Sequence, residues 1–212
     1  MSAIKLNADS GGGSVAFKGP ASTTGNADFE LTLPVNDGNA DQVLKTDGSG
    51  ALDWVAQPSS LFDAYAVVID RKAGDVDGGT FTQDAWQTRV LNHELIDPSG
   101  IVSLSSNQFT LAAGTYLVKW RAPFFRCNNN TTILYNVTDT AETAQGFGAN
   151  GNTADGDHTY AFGVARFTIS GSKAFEIRHK CQSTKTDNGF GLSSYSFTTY
   201  SYYTMVEIWR EA

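Results

Sequence analysis

Of the 212 residues, 21 are Gly, 18 Ser, 22 Thr, 13 Asn and 16 Asp, so 90 positions are small, hydroxylated or turn-prone, and only 6 are Glu. That balance favours short strands joined by many turns over a helical bundle, and 41% apolar residues argue against bulk disorder. The net charge is -7, and the 7 Arg and 8 Lys never form a run of three, which speaks against a protein that tracks nucleic-acid phosphates.

At 22.8 kDa the length fits one large β domain or one domain with an appendage. No stretch approaches the ~20 apolar residues of a membrane span. The first nine residues, Met1 to Asp9, lack the apolar core of a secretory signal, so synthesis in a cytoplasm is expected.

In chain order, residues 1–60 offer short strands at Ile4–Asn7, Ser14–Lys18, Phe29–Leu33, Gln42–Thr46 and Ala51–Val55. Turn signals separate them: Gly11–Gly13, Thr23–Asn26, Asn36–Gly38 and Asp47–Gly50. This segment has too few large apolar residues to close a core of its own, so other copies or a partner are expected to complete it. Residues 57–60 (Gln-Pro-Ser-Ser) read as a linker. The expected division is therefore a β-hairpin module over 1–60 and a larger domain over 61–212.

From Leu61 the strand pattern strengthens. Strands are expected at Phe62–Asp70, Ala85–Asn92, Asn107–Leu111, Gly114–Phe124, Thr131–Asp139, Thr159–Ser170, Lys173–Gln182 and Tyr202–Arg210. Alternation sets Tyr116, Val118, Trp120 and Ala122 on one face of their strand and Leu117, Lys119 and Arg121 on the other. In the same way Phe175, Ile177, His179 and Cys181 oppose Glu176, Arg178, Lys180 and Gln182. No window has a helical period with caps. The fold class is all-β: an antiparallel jelly-roll sandwich behind a small N-terminal hairpin module.

The search for chemistry gives no catalytic, cofactor or metal residues. His93, His158 and His179 have no ligand spacing, and His179 falls on the apolar side of its strand, where a satisfied buried histidine is the plain reading. Cys127 and Cys181 lie in apolar patterns and read as two buried free thiols, with a disulfide between neighbouring strands as the alternative. Gly146-Phe-Gly148-Ala-Asn-Gly151 matches G-x-G-x-x-G, yet no helix follows to present amides to a phosphate, so a long loop is expected. Asp75 with Asp77, and Asp155 with Asp157, fall short of a full calcium loop and read as solvated carboxylates. The acceptor patterns at Asn129, Asn130 and Asn136 read as chance matches in a Thr-rich chain. Tyr195, Tyr200, Tyr202 and Tyr203 cluster near the C-terminus, where they suit an interface or core packing better than a ligand platform.

Two motifs carry a resemblance. Phe109-Thr-Leu-x-x-Gly114-Thr-Tyr116, preceded by Trp86-Gln-Thr-Arg-x-Leu-Asn92 and closed by Tyr203–Trp209, resembles the jelly-roll domains of the complement globular-head and tumour-necrosis-factor type, in the form carried by bacteriophage structural proteins. Leu31–Pro34, Asp37-Gly38, Gln42–Gly48 and Gly50–Trp54 are similar to short β modules of phage tail fibres. The resemblance implies a homotrimer whose N-terminal piece attaches to other virion proteins and whose head faces outward. It also implies a virion location after synthesis in the bacterial host, with no nucleic-acid or membrane partner. No repetitive shaft precedes the head, so a short tail fibre, a head fibre and a capsid decoration protein are all consistent with the length. A carbohydrate-binding module recognising host glycan through Asn128–Asn130 and Asn150–Asp157 is the second class of reading. A polysaccharide hydrolase is the third and weakest, because no β-helix repeat is present. No residue is singled out for receptor binding.

Overall fold

The computed structural model describes residues 3–7, 12, 14–18, 20–57, 61–154 and 158–212. Most of the predicted Gly11–Gly13 turn, linker residues 58–60 and the Asp155–Asp157 pair lie outside them. The chain divides into two compact units, Met1–Pro58 and Ser59–Ala212.

The first unit holds two hairpins. Strands β1 (Ala3–Asn7) and β2 (Ser14–Lys18) pair antiparallel, with Ile4 opposite Phe17 and Leu6 opposite Val15. Strands β3 (Gln42–Thr46) and β4 (Leu52–Ala56) form the second, with Leu44 opposite Trp54. Asp47 ties the β3–β4 turn: its Oδ1 accepts the N–H groups of Ser49 at 2.7 Å and Ala51 at 3.2 Å. The Trp54 indole donates to the Asn36 carbonyl at 3.0 Å and lies against Gly38, where a Cβ would come within 2.7 Å of the ring. Gly38 also sits at φ +75°, so both space and backbone select glycine there.

The expected strand at Phe29–Leu33 is not formed. Only Thr32 makes a bridge, parallel to Ala51: its N–H donates to the Gly50 carbonyl and its C=O accepts from the Leu52 N–H, both at 2.9 Å. Pro34 removes the next donor, and among the described residues no second strand pairs with the other side.

The second unit is a two-sheet sandwich. Its further strands are β5 (Phe62–Ala73), β6 (Gln87–Thr88), β7 (His93–Ile96), β8 (Val102–Ser105), β9 (Gln108–Leu111), β10 (Gly114–Phe125), β11 (Asn128–Asn136), β12 (Ala141–Gln145), β13 (Ala149–Gly151), β14 (His158–Ile169), β15 (Lys173–Cys181) and β16 (Tyr200–Glu211). One sheet runs β14-β10-β16-β5-β7. The other runs β12-β11-β15-β9-β8, with β13 beside β11 and β6 beside β15. The first long strand pairs with the last, and the chain crosses repeatedly between sheets through antiparallel ladders, which is the jelly-roll arrangement.

The core lies where alternation sets it. Ala66 and Val68 of β5, Tyr116, Val118 and Trp120 of β10, and Val206 and Ile208 of β16 face Phe109, Leu111, Leu134, Phe175 and Ile177 of the other sheet. Burying one such side chain contributes roughly 1.5–3 kcal/mol. The Trp120 indole crosses between the layers and donates to Thr132 Oγ1 at 2.8 Å.

Two strand expectations need correction. Ala85–Asn92 contributes only Gln87–Thr88 to a strand, because the segment passes between sheets: the Arg89 N–H still donates to the Ile177 carbonyl of β15 at 2.8 Å, whereas the Asn92 N–H donates to the Ile69 carbonyl of β5 at 3.0 Å. The solvent phase of β15 is also incomplete, since Glu176 is buried. Its carboxylate accepts from Arg178 Nε at 2.6 Å and from Gln108 Nε2 at 3.3 Å, and the Arg178 guanidinium lies 3.4 Å from the centre of the Tyr135 ring.

Candidate functional site

At one end of the sandwich a second buried cluster gathers Phe81, Phe124, Cys127, Ala161 and Cys181. Arg89 enters beside it, fully buried. Its Nε donates to Thr204 Oγ1 at 2.7 Å, its Nη2 donates to the Phe190 carbonyl at 3.0 Å, and its guanidinium lies 4.1 Å from the Phe190 ring centre. Burial brings its pKa down to about 9, against the opposing field of Asp70. Asp70 is likewise buried, with Oδ1 unpartnered, and burial carries its pKa up to about 6 despite Lys72 and Arg89.

His179 completes this layer. Its Nε2 lies 2.9 Å from Asn130 Oδ1, while Asn130 Nδ2 donates to the carbonyls of Asn128 and Ala149, so Nε2 is the histidine's donor. Burial and the nearby Arg89 hold His179 well below the usual imidazole range, so the ring is neutral. The cluster lies between the two sheets, and its Cys181 and Asn130 also line a surface depression.

The two cysteines are free and buried, and they share a hydrogen bond. That bond lowers the Cys127 pKa; the same bond, with burial, raises that of Cys181. Cys127 also donates to the Phe125 carbonyl at 2.9 Å. His93 and His158 stand on β7 and β14, apart from His179 on β15. Among the described residues no group of three His, Cys, Asp or Glu side chains is placed to hold a metal.

Several sequence signals resolve into packing. Residues 146–148 of the glycine pattern form a short connection from β12 to β13, and Gly151 lies in a strand, so the expected long loop is absent. Gly146 is required because a Cβ there would meet Thr132 Oγ1 at 2.3 Å. Asp77 accepts from the Ser193 N–H at 2.7 Å. Asn136 is buried and bonds both the backbone and the side chain of Asp139. Of the clustered tyrosines, Tyr203 is buried, whereas Tyr195, Tyr200 and Tyr202 are exposed and Arg71 lies over the Tyr200 ring.

The expected polar loop at Asn128–Asn130 is strand. Across β13, β11 and β15, Asn150 Nδ2 donates to Asn129 Oδ1 at 2.6 Å and Asn129 Nδ2 donates to Gln182 Oε1 at 2.9 Å. This row of side-chain amides edges a depression of about 340 Å³ that Asp84, Thr131 and Lys180 also line. The row keeps hydrogen-bonding capacity at both ends.

The outer face of the five-stranded sheet is different in kind. The Trp209 ring lies tilted against Tyr65 with centres 5.0 Å apart, Lys119 sits above the Trp209 ring, and Tyr65 donates to Glu207 at 3.1 Å. Nearby, exposed Phe147, Phe162 and Val164 line a depression of about 360 Å³ with Arg121. In the first unit, alternate residues Phe29, Leu31, Leu33 and Val35 are 69%, 64%, 69% and 103% exposed. Sequence reading placed a short strand at Phe29–Leu33 but did not single out this stripe, although its period of two was visible.

Comparison with solved structures finds similar folds. The globular domain of zebrafish complement 1qA protein shares 11% identity over 69% of this chain and 95% of that chain, with a TM-score of 0.45. Murine APRIL shares 7% identity over 69% and 98%, with a TM-score of 0.45. Eiger TNF from S. frugiperda shares 11% over 72% and 94%, with a TM-score of 0.48. No family model matches the chain. No curated protein matches it.

Proposed function

We propose that the chain is a non-enzymatic structural protein of a bacteriophage particle, a homotrimeric short fibre of tail or head. In this reading residues 1–60 attach to other virion proteins and begin the trimer, and the sandwich over 61–212 is the exposed, host-facing head. The carrying observation is the apolar surplus on both units: the Phe29–Val35 stripe on one and the Phe147, Phe162 and Val164 patch on the other. Contiguous apolar surface of this kind marks an interface, and closed cyclic assembly buries it without leaving a free edge. The phage assignment rests on the resemblance of Leu31–Trp54 and Phe109–Tyr116 to virion modules. A capsid decoration protein has the same architecture.

Light scattering on the purified protein tests the assembly: a mass three times 22.8 kDa is expected, and a monomer at micromolar concentration overturns the reading. A map of intact particles then decides between tail, head-fibre and decoration positions. A second reading, glycan binding by the head, is favoured by the Asn150–Asn129–Gln182 row and its depression. A glycan array separates the two, since binding lost in an Asn129→Ala variant is expected only if that row is the contact.

A further inference from the structure

Two reactive side chains that the proposed function leaves unused stand together at one end of the sandwich. Cys127 lies between β10 of the five-stranded sheet and β11 of the seven-stranded sheet, where the chain crosses from one layer to the other. Cys181 ends β15, and its register partner Asn130 follows shortly after Cys127. The Cys127 carbonyl accepts the Ser183 N–H at 3.2 Å, which keeps the two backbones side by side. Both thiols belong to one buried cluster with Phe81, Phe124 and Ala161, and they share a hydrogen bond. The chain has no third cysteine to compete.

The two sulfurs differ in access and in charge. Cys127 is fully enclosed, whereas Cys181 lines the 340 Å³ depression beside Asn129 and Gln182. A bulky alkylating reagent does not fit past Cys181, but a peroxide, little larger than water, meets the pair from that side. The hydrogen bond from Cys181, with Arg89 and Lys185 behind it, favours the thiolate at Cys127 against its burial, while Cys181 keeps its proton. One sulfur is thus set to attack and its neighbour to resolve.

We propose that Cys127 and Cys181 form an oxidative modification site, a dithiol that hydrogen peroxide converts to a disulfide within the folded chain. The Cys127 thiolate attacks one peroxide oxygen and the O–O bond breaks, giving a sulfenic acid and a hydroxide that takes up the proton Cys127 has lost. Cys181 sulfur then attacks Cys127 sulfur, the S–O bond breaks, and the departing hydroxide leaves as water with the Cys181 proton. Both thiols are oxidised to one disulfide, and one peroxide is reduced to two waters. The new bond ties the crossing point between the sheets to the end of β15, next to the Asn150–Asn129–Gln182 row. Because it closes a long loop along a contact already made, it acts as a lock that restricts the unfolded chain more than the folded one. The site stands on this geometry; only its timing rests on the virion reading, under which a chain made reduced in a cytoplasm meets oxidant after release.

The test adds hydrogen peroxide to the reduced, native, full-length protein, then denatures it with iodoacetamide and maps the peptides by mass spectrometry without reductant. The expected product is an unalkylated Cys127–Cys181 peptide pair lacking two hydrogens, in a protein that runs as a single chain on a denaturing gel and recovers both thiols with dithiothreitol. Its melting temperature is expected to exceed that of the reduced form by about 5 °C or more. Cys127→Ser and Cys181→Ser are each expected to remove the pair and the shift; the comparison of oxidised with reduced wild type carries the test if a variant does not fold. Two alkylated thiols after treatment, a sulfinic or sulfonic product without the pair, or a bond between chains overturns the site. A linked pair with an unchanged melting temperature overturns the lock. The peptide pair is read in any assembly state, so failure here and failure of the trimeric reading by light scattering are told apart.

Discussion

Gly163 stands opposite Trp120 in the β10–β14 ladder, and a methyl group there would lie 1.8 Å from Trp120 Cζ2, 2.1 Å from Cε2 and 2.4 Å from Cη2. The ring is closely held. It is 3% exposed, and its Nε1–H is held by Thr132 Oγ1 of the opposite sheet at 2.8 Å. Gly163→Ala therefore either swings the indole, breaking the inter-sheet bond at about 1–3 kcal/mol, or parts the strands, with overpacking of about 1–3 kcal/mol. By either route a loss of about 1–3 kcal/mol is expected. Urea unfolding at fixed protein concentration measures it, with far-ultraviolet circular dichroism as the signal. Trp120→Leu alone is expected to cost about 3–5 kcal/mol, but in that background Gly163→Ala should cost under about 1 kcal/mol, since the methyl enters vacated space. A Gly163→Ala cost below about 0.5 kcal/mol, or the same cost in both backgrounds, would refute the inter-sheet wedge.

Other predictions concern the buried polar layer and the first unit. Burial raises the Asp70 pKa from 3.8 to about 6, so its contribution to stability is complete below pH 4 and is lost as pH rises through 6; the shift corresponds to about 3 kcal/mol. His179, held low, works in the opposite direction by losing stability as pH falls below 6.5. The difference between wild type and Asp70→Asn isolates the first effect, and a difference that is flat from pH 4 to 7 would sink it. Neither thiol should react with maleimide in the native protein, and both should react in denaturant; mass spectrometry showing native labelling contradicts the burial of Cys127 and Cys181. Gly38→Ala combines a φ of +75° with a contact 2.7 Å from the Trp54 ring and is expected to cost the first unit about 1–3 kcal/mol. An unchanged near-ultraviolet signal and melting profile would count against that packing.

The sequence by itself determined the all-β class and most long strands, because alternation over ten residues leaves one solution for which side chains go inside. Tyr116, Val118, Trp120 and Ala122 were legible for that reason, as were Phe175 to Cys181. Short strands were not. His93–Ile96, Ala141–Gln145 and Ala149–Gly151 have too few residues to show a period, and ladder partners far along the chain decide them. Only the tertiary structure placed Arg89 inside, since a guanidinium is buried where Thr204 and the Phe190 carbonyl happen to meet it. It also turned the asparagine-rich loop into a cross-strand row of amides, and it left Phe29, Leu31, Leu33 and Val35 uncovered. Local pattern decides which face of a strand is apolar. Whether that face finds a cover depends on what the rest of the chain, or another copy of it, brings within reach.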